Sequence, residues 1–136
     1  MFRHFCKSKI HRAKVTGADL NYIGSITLCT DLMKAADLMP YEKVQVVDIT
    51  NGARLETYVI PSPNGASGDI CLNGAAARLI SKDDLVIIIS YCMIDDKELA
   101  SFKPKVVFVN EDNAIIELRE EEPGFTTHLE LISNSK

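Results

Sequence analysis

The apolar positions of the chain come mostly in short, strand-length runs. Lys43–Ile49 (KVQVVDI) is rich in β-branched residues, and Arg54–Ile60 (RLETYVI) follows it. Between them Thr50-Asn51-Gly52-Ala53 carries an Asn-Gly pair. That pair suits a type I′ turn, in which both central residues take positive φ, so residues 43–60 read as a β-hairpin. Leu85–Tyr91 (LVIIISY) is a continuous apolar run and reads as a strand buried on both faces. Lys9–Thr16 reads as extended. Lys105–Val109 and Ala114–Leu118 flank a turn at Asn110–Asn113.

A helical rhythm shows in one place, where Leu32, Met33, Ala36 and Met39 recur between Thr30, a candidate cap, and Pro40, a candidate stop. A second short helix is expected from Asp95 to about Phe102, with Asp95 and Asp96 at its positive end and Pro104 after it. Pro61–Gly68 has the composition of a surface loop, and Glu120–Lys136 ends as a loosely held tail. Six or more short strands with two small helices predict a mainly β fold, a closed barrel with short flanking helices.

At 136 residues the chain has the length of one domain and can bury a core without a metal or disulfide staple. Hydrophobic residues at 46% and charged residues at 25% fit a globular protein, and the apolar runs are too short to span a membrane. The net charge of −4 lacks the basic footprint of a nucleic-acid binder. One basic cluster stands out: Arg3, His4, Lys7, Lys9, His11, Arg12 and Lys14. By composition it is a solvated strand or arm. The N-terminus lacks the apolar stretch of a signal peptide. The four cysteines show no C-x-x-C spacing and the three histidines no ligand spacing, so no metal is expected and cytoplasmic free thiols are the default.

Gly24-Ser25, within NYIGSIT, would by itself be a simple bend. Its surroundings say more. KSKIHRA (Lys7–Ala13) precedes it, Arg54 and Tyr58 follow, and NGAAAR (Asn73–Arg78) comes later. In this order and spacing the segments resemble the pyruvoyl-dependent aspartate 1-decarboxylase family from about Met1 to Leu118. Cys29 stands where that family often has an acidic residue, and loop 61–69 is about one residue longer than in many members, placing the amide at Asn73.

The resemblance implies a double-psi β-barrel over residues 1–118, a C-terminal tail over 119–136, and a homotetramer whose sites are shared between subunits. It implies self-cleavage: the Ser25 hydroxyl attacks the Gly24 carbonyl, the resulting ester eliminates, and dehydroalanine hydrolyses to a pyruvoyl cofactor. A β chain (1–24) and an α chain (25–136) result, with Thr57 and Asn73 assisting and a maturation factor serving some members. L-Aspartate then forms a Schiff base, loses carbon dioxide and leaves as β-alanine for pantothenate and coenzyme A synthesis.

Gly24 suits this chemistry because it lacks a Cβ and tolerates strained angles. Arg54 has the planar fork for a carboxylate, and Lys9 supplies a second cation. Within the family Lys9 is thus a site residue, while Lys7, Lys14 and Arg3 stay solvated. Tyr58 is the proton donor; by itself it would be a half-buried strand aromatic. Gly74, Ala75 and Ala76 offer small side chains and backbone N–H groups to the substrate, where the plainer reading is tight packing. His11 and Arg12 have no assigned role, and Tyr22 is either a pocket wall or a strand anchor. The competing function is a non-catalytic barrel that binds a partner with Gly24-Ser25 intact.

Overall fold

The computed structural model describes residues 1–63 and 65–120. Among the described residues there are nine strands: β1 (Phe2–Lys14), β2 (Gly17–Asp19), β3 (Ser25–Leu28), β4 (Lys43–Asp48), β5 (Arg54–Pro61), β6 (Ile70–Asn73), β7 (Leu85–Asp95), β8 (Lys105–Val109) and β9 (Ile115–Glu120). Their spatial order is β2-β6-β3-β5-β4-β7-β1-β8-β9. The fold is mainly β, as the strand runs predict. Parallel pairs β1–β8, β2–β6 and β3–β5 sit among antiparallel ones, so crossovers as well as hairpins build the sheet.

The flanks of this order are joined by the chain, because β2 follows β1 after two residues. A buried side chain ties the same region: Asn113, in the β8–β9 turn, donates from Nδ2 to the carbonyls of Lys14 (2.7 Å) and Gly68 (2.9 Å). Its Oδ1 accepts the Lys14 amide at 2.8 Å. The core lies inside this curl, where Ile10, Ile26, Leu28, Val46, Leu72 and Ile88 are fully buried. Val106 and Phe108 form a small separate cluster, with the His11 ring edge-on to Phe108 at 5.6 Å.

The hairpin 43–60 is present, but its turn differs from type I′. Gly52 has φ +79°, whereas Asn51 does not take positive φ. Asp48 organises a longer loop instead. Its Oδ1 accepts the amides of Thr50 (2.8 Å) and Asn51 (3.2 Å), and its carbonyl accepts Gly52 N–H. A buried aspartate with backbone donors in reach outcompetes the two-residue turn. Leu85–Tyr91 continues as a strand to Asp95, and its burial alternates: Val86, Ile88 and Ser90 point inward, while Leu85, Ile87 and Ile89 are half-buried. It is thus covered fully on one face only.

Both helices are shorter than expected. The first, α1, spans Thr30–Ala35, with Cys29 rather than Thr30 in the cap position. It stops before Pro40 because Asp37 turns left-handed at φ +55°. Leu38 N–H then bonds Met33 O and Asp37 N–H bonds Lys34 O, the double bond of a Schellman ending. In place of the helix from Asp95 there is a single 3₁₀ turn at Leu99–Ser101 (η2). β7 consumes Asp95, whose Oδ1 accepts Lys97 N–H and starts a turn. The tail expected from residue 119 begins inside β9, and residues 121–136 lie outside the described residues.

The basic cluster divides. Arg3 pairs with Asp96 and Lys14 with Asp83 on the surface. Lys7 is not solvated as expected. It sits at an irregularity of β1 and meets Glu42 Oε2 at 2.6 Å and the Asp37 carbonyl, with its side chain 19% exposed. Ser90 Oγ donates to the same Glu42 oxygen at 2.6 Å, and Met39 N–H donates to Oε1 at 3.1 Å. Burial pushes the Glu42 carboxyl up, but the hydrogen bonds from Lys7, Ser90 and Met39 and the charge of Lys7 outweigh it and hold it below its ordinary value. Its stabilising contribution is therefore complete above the ordinary carboxylate range and is lost as pH falls through the lowered value. Glu42→Gln should cost about 1–2 kcal/mol at neutral pH, a gap that closes in strong acid. Urea unfolding of both proteins at the two pH values measures it.

Candidate active site

The Gly24–Ser25 peptide lies where the chain enters β3. Ser25, its first residue, pairs with Asn73, the last of β6. Ile26↔Leu72 and Leu28↔Ile70 continue this antiparallel ladder, and all four side chains are fully buried. Burying these apolar groups sets the register, since a slip of one residue would expose them. The register delivers the polar pairs Ser25↔Asn73 and Thr27↔Cys71.

Asn73 is buried, and its amide is fully engaged. Nδ2 donates to Ser25 Oγ and to Thr27 Oγ1, each at 2.9 Å. Ser25 Oγ in turn donates to Ile23 O at 3.2 Å. The hydroxyl is thus held between a fixed donor and a fixed acceptor. The Asn73 side chain does not cap the 3₁₀ helix that follows, Gly74–Arg78 (η1).

The close backbone approach at this junction is borne by Gly74 and not by Gly24. A Cβ on Gly24 would meet only Asn73 O at 4.0 Å, and Gly24 does not take positive φ. A Cβ on Gly74 would lie 2.8 Å from Gly24 Cα, 2.9 Å from Gly24 N and 3.0 Å from Tyr22 O, and Gly74 has φ +67°. Segment 22–24 therefore rests directly on the backbone of residue 74, which sequence spacing alone could not reveal.

A cleft of about 360 Å³ opens beside this contact. Gly24, Thr57, Tyr58, Asn73, Ala75 and Ala76 line it, together with Leu55, Glu56 and Leu79. Six of the expected site residues thus share one cavity. Ser25 and Gly74 are the chain neighbours of the lining residues Gly24 and Asn73. Arg54 begins the same strand as Tyr58 and is exposed, on the same face. The Tyr58 ring also packs against Tyr41, centroids 6.1 Å apart. Tyr22 is 53% exposed.

Lys9 is not brought to the cleft by the fold of one chain. It lies on β1, and β4 and β7 separate β1 from β5. Three strand spacings amount to roughly 14 Å. The register runs Glu56↔Gln45↔Ile89↔Lys9, so Lys9 shares a sheet face with Arg54 and Tyr58 without adjoining them. Thr27 and Cys71 are the polar neighbours that motif reading missed. Only the pairing of β3 with β6 places them beside Ser25 and Asn73. No group of three His, Cys, Asp or Glu side chains among the described residues is arranged to hold a metal ion.

Gly74→Ala should lower stability by about 2 kcal/mol or more, through left-handed strain plus the clash with Gly24. Chemical unfolding of the variant beside the parent measures this. An unchanged midpoint would show that segment 22–24 yields freely.

Comparison with known proteins finds relatives over most of the chain. A relative from Moorella thermoacetica named aspartate 1-decarboxylase is 58% identical over 125 residues, covering 91% of this chain and 97% of its own. One of the same name from Acetivibrio thermocellus is 62% identical over 122 residues, covering 90% of this chain and 96% of its own. A third, from Bacillus subtilis, is 55% identical over 126 residues, covering 93% and 98%. The family model described as aspartate decarboxylase matches residues 1–116, which takes in the cleft and the Gly24–Ser25 junction, so this chain belongs to the aspartate decarboxylase family.

Proposed function

We propose that the chain is an aspartate 1-decarboxylase that makes its own catalytic group at Ser25. The carrying observation is the grip of Asn73 Nδ2 on Ser25 Oγ, at a junction whose preceding residue lines the cleft. The hydroxyl adds to the Gly24 carbonyl carbon, and the peptide nitrogen leaves with a proton, giving an ester. Loss of the Ser25 Cα proton then breaks the Cβ–O bond and frees the Gly24 carboxylate, and water replaces the nitrogen as ammonia. Residues 1–24 become the β chain and residues 25–136 the α chain.

In this reading Asn73 orients the nucleophile, and Thr57, which lines the same cleft as Gly24, is a further hydrogen-bonding group. The pyruvoyl group at residue 25 would supply a ketone that takes up the substrate amine and draws off the electrons released with carbon dioxide. A buried, doubly held Ser25 beside a cleft fits that group. Arg54 binds a substrate carboxylate through its fork, and the Gly74–Ala76 backbone at the start of η1 receives the other end. Tyr58 gives its proton to the carbon that lost carbon dioxide. Lys9 completes the charge balance from a neighbouring subunit of the homotetramer, which accounts for its distance from the cleft within one chain. The reading places the enzyme in the cytoplasm, forming β-alanine for pantothenate synthesis. A maturation factor would act on the Gly24–Ser25 junction.

Intact-mass spectrometry should resolve the parent into two chains and Ser25→Ala into one, the variant having no turnover. Arg54→Ala should still cleave but lose about 30-fold or more in kcat/KM for aspartate, the cost of stranding a carboxylate without its cation. Tyr58→Phe should lower kcat about a hundredfold, the share of one general acid. Turnover by an uncut Ser25→Ala chain would end the proposal.

A further inference from the structure

Cys71 belongs to none of the motifs that carry the family resemblance, yet it sits against the group that holds the nucleophile. It lies two residues before Asn73 on β6, so both side chains leave the strand on one face. Across the ladder it faces Thr27, while Asn73 faces Ser25. These four side chains form one polar patch. Asn73 Nδ2 serves both hydroxyls, and Cys71 Sγ donates to Asn73 Oδ1 at 3.4 Å. Each end of the carboxamide therefore has its own partner.

The space for that thiol is also built. On the other side of β6, Gly17 of β2 pairs with Cys71. A Cβ at Gly17 would already lie 3.4 Å from the sulfur. The partly buried thiol thus lies between Gly17 and the amide it contacts. Burial, followed by the nearby charges of Asp19 and Asp69, pushes the thiol up from its ordinary value, so it keeps the proton it donates.

A carboxamide can rotate by half a turn and exchange its oxygen for its nitrogen. With Nδ2 turned away, Ser25 Oγ would face an acceptor and lose its donor. We propose that Cys71 is a positioning residue for self-cleavage: its S–H fixes the Asn73 amide with Nδ2 toward Ser25. The inference rests on the reading of Asn73 as an aid to cleavage, and it adds a residue that selects the competent orientation.

The test follows the uncut chain by intact-mass spectrometry in the full-length parent, Cys71→Ser, Cys71→Ala, Cys71→Val and Asn73→Ala, with thermal melting of each as a control for folding. Cys71→Ser keeps an O–H donor and should cleave within about twofold of the parent. Cys71→Ala and Cys71→Val lack the donor and should cleave about five- to tenfold more slowly, the loss expected for one hydrogen bond. Parent-like cleavage in both, while Asn73→Ala stalls, would overturn the role of Cys71 alone. Equal slowing in Cys71→Ser and Cys71→Ala would overturn it too, by making the effect one of packing. Parent-like cleavage in Asn73→Ala would instead remove the reading of Asn73 on which the inference stands.

Discussion

The arrangement at Ser25 depends on the pairing of β3 with β6. Ile26, Leu28, Ile70 and Leu72 are fully buried and lock the two strands in one register. The polar pairs are a consequence of that apolar burial. Buried polar groups in a low-dielectric surrounding are costly unless each finds a partner. Asn73 meets this condition by bonding both hydroxyls across the ladder, and the same bonds leave Ser25 Oγ with one orientation. Hydrophobic burial thus supplies the precision that the chemistry needs.

The backbone around the junction is tightly constrained. Gly74, the first residue of η1, is left-handed and in direct contact with Gly24, so the turn that follows β6 supports the chain leading into β3. The cleft beside that contact is lined also by Thr57 and Tyr58 of β5. Glu42 has a comparable part elsewhere, joining β1, β7 and the link after α1 through Lys7, Ser90 and Met39. A cation from a cluster that composition assigns to solvent is thereby part of the framework.

Several misreadings of local structure share one cause. The helix expected to reach Met39 ends early because Asp37 closes it with a left-handed residue. The turn at Asn51-Gly52 is reorganised by Asp48, whose carboxylate takes two amides of the loop. At Asp48 a side-chain carboxylate takes loop donors, and after α1 the backbone N–H groups of Asp37 and Leu38 take the last helical carbonyls, so in each case backbone groups find partners outside the regular element. Lys9 differs in kind. Its motif is plain in the sequence, but β4 and β7 hold it away from β5, and the distance follows from strand order alone.

By itself the amino-acid sequence determined that the fold is mainly β and placed most of its strands, and the family resemblance carried by NYIGSIT and NGAAAR, with Arg54 and Tyr58, pointed to Gly24, Thr57, Tyr58, Asn73, Ala75 and Ala76, which line one cleft. Those properties are local, since they depend on side-chain chemistry and on neighbours along the chain. Tertiary structure decided that Gly74 rather than Gly24 bears the close approach, that Thr27 and Cys71 join Ser25 and Asn73, that Lys7 is held by Glu42, and that Lys9 stands apart from the cleft. Those facts are pairings between segments far apart in the chain. They are fixed by which apolar faces the strands bury together, and no spacing along a single chain encodes that choice directly.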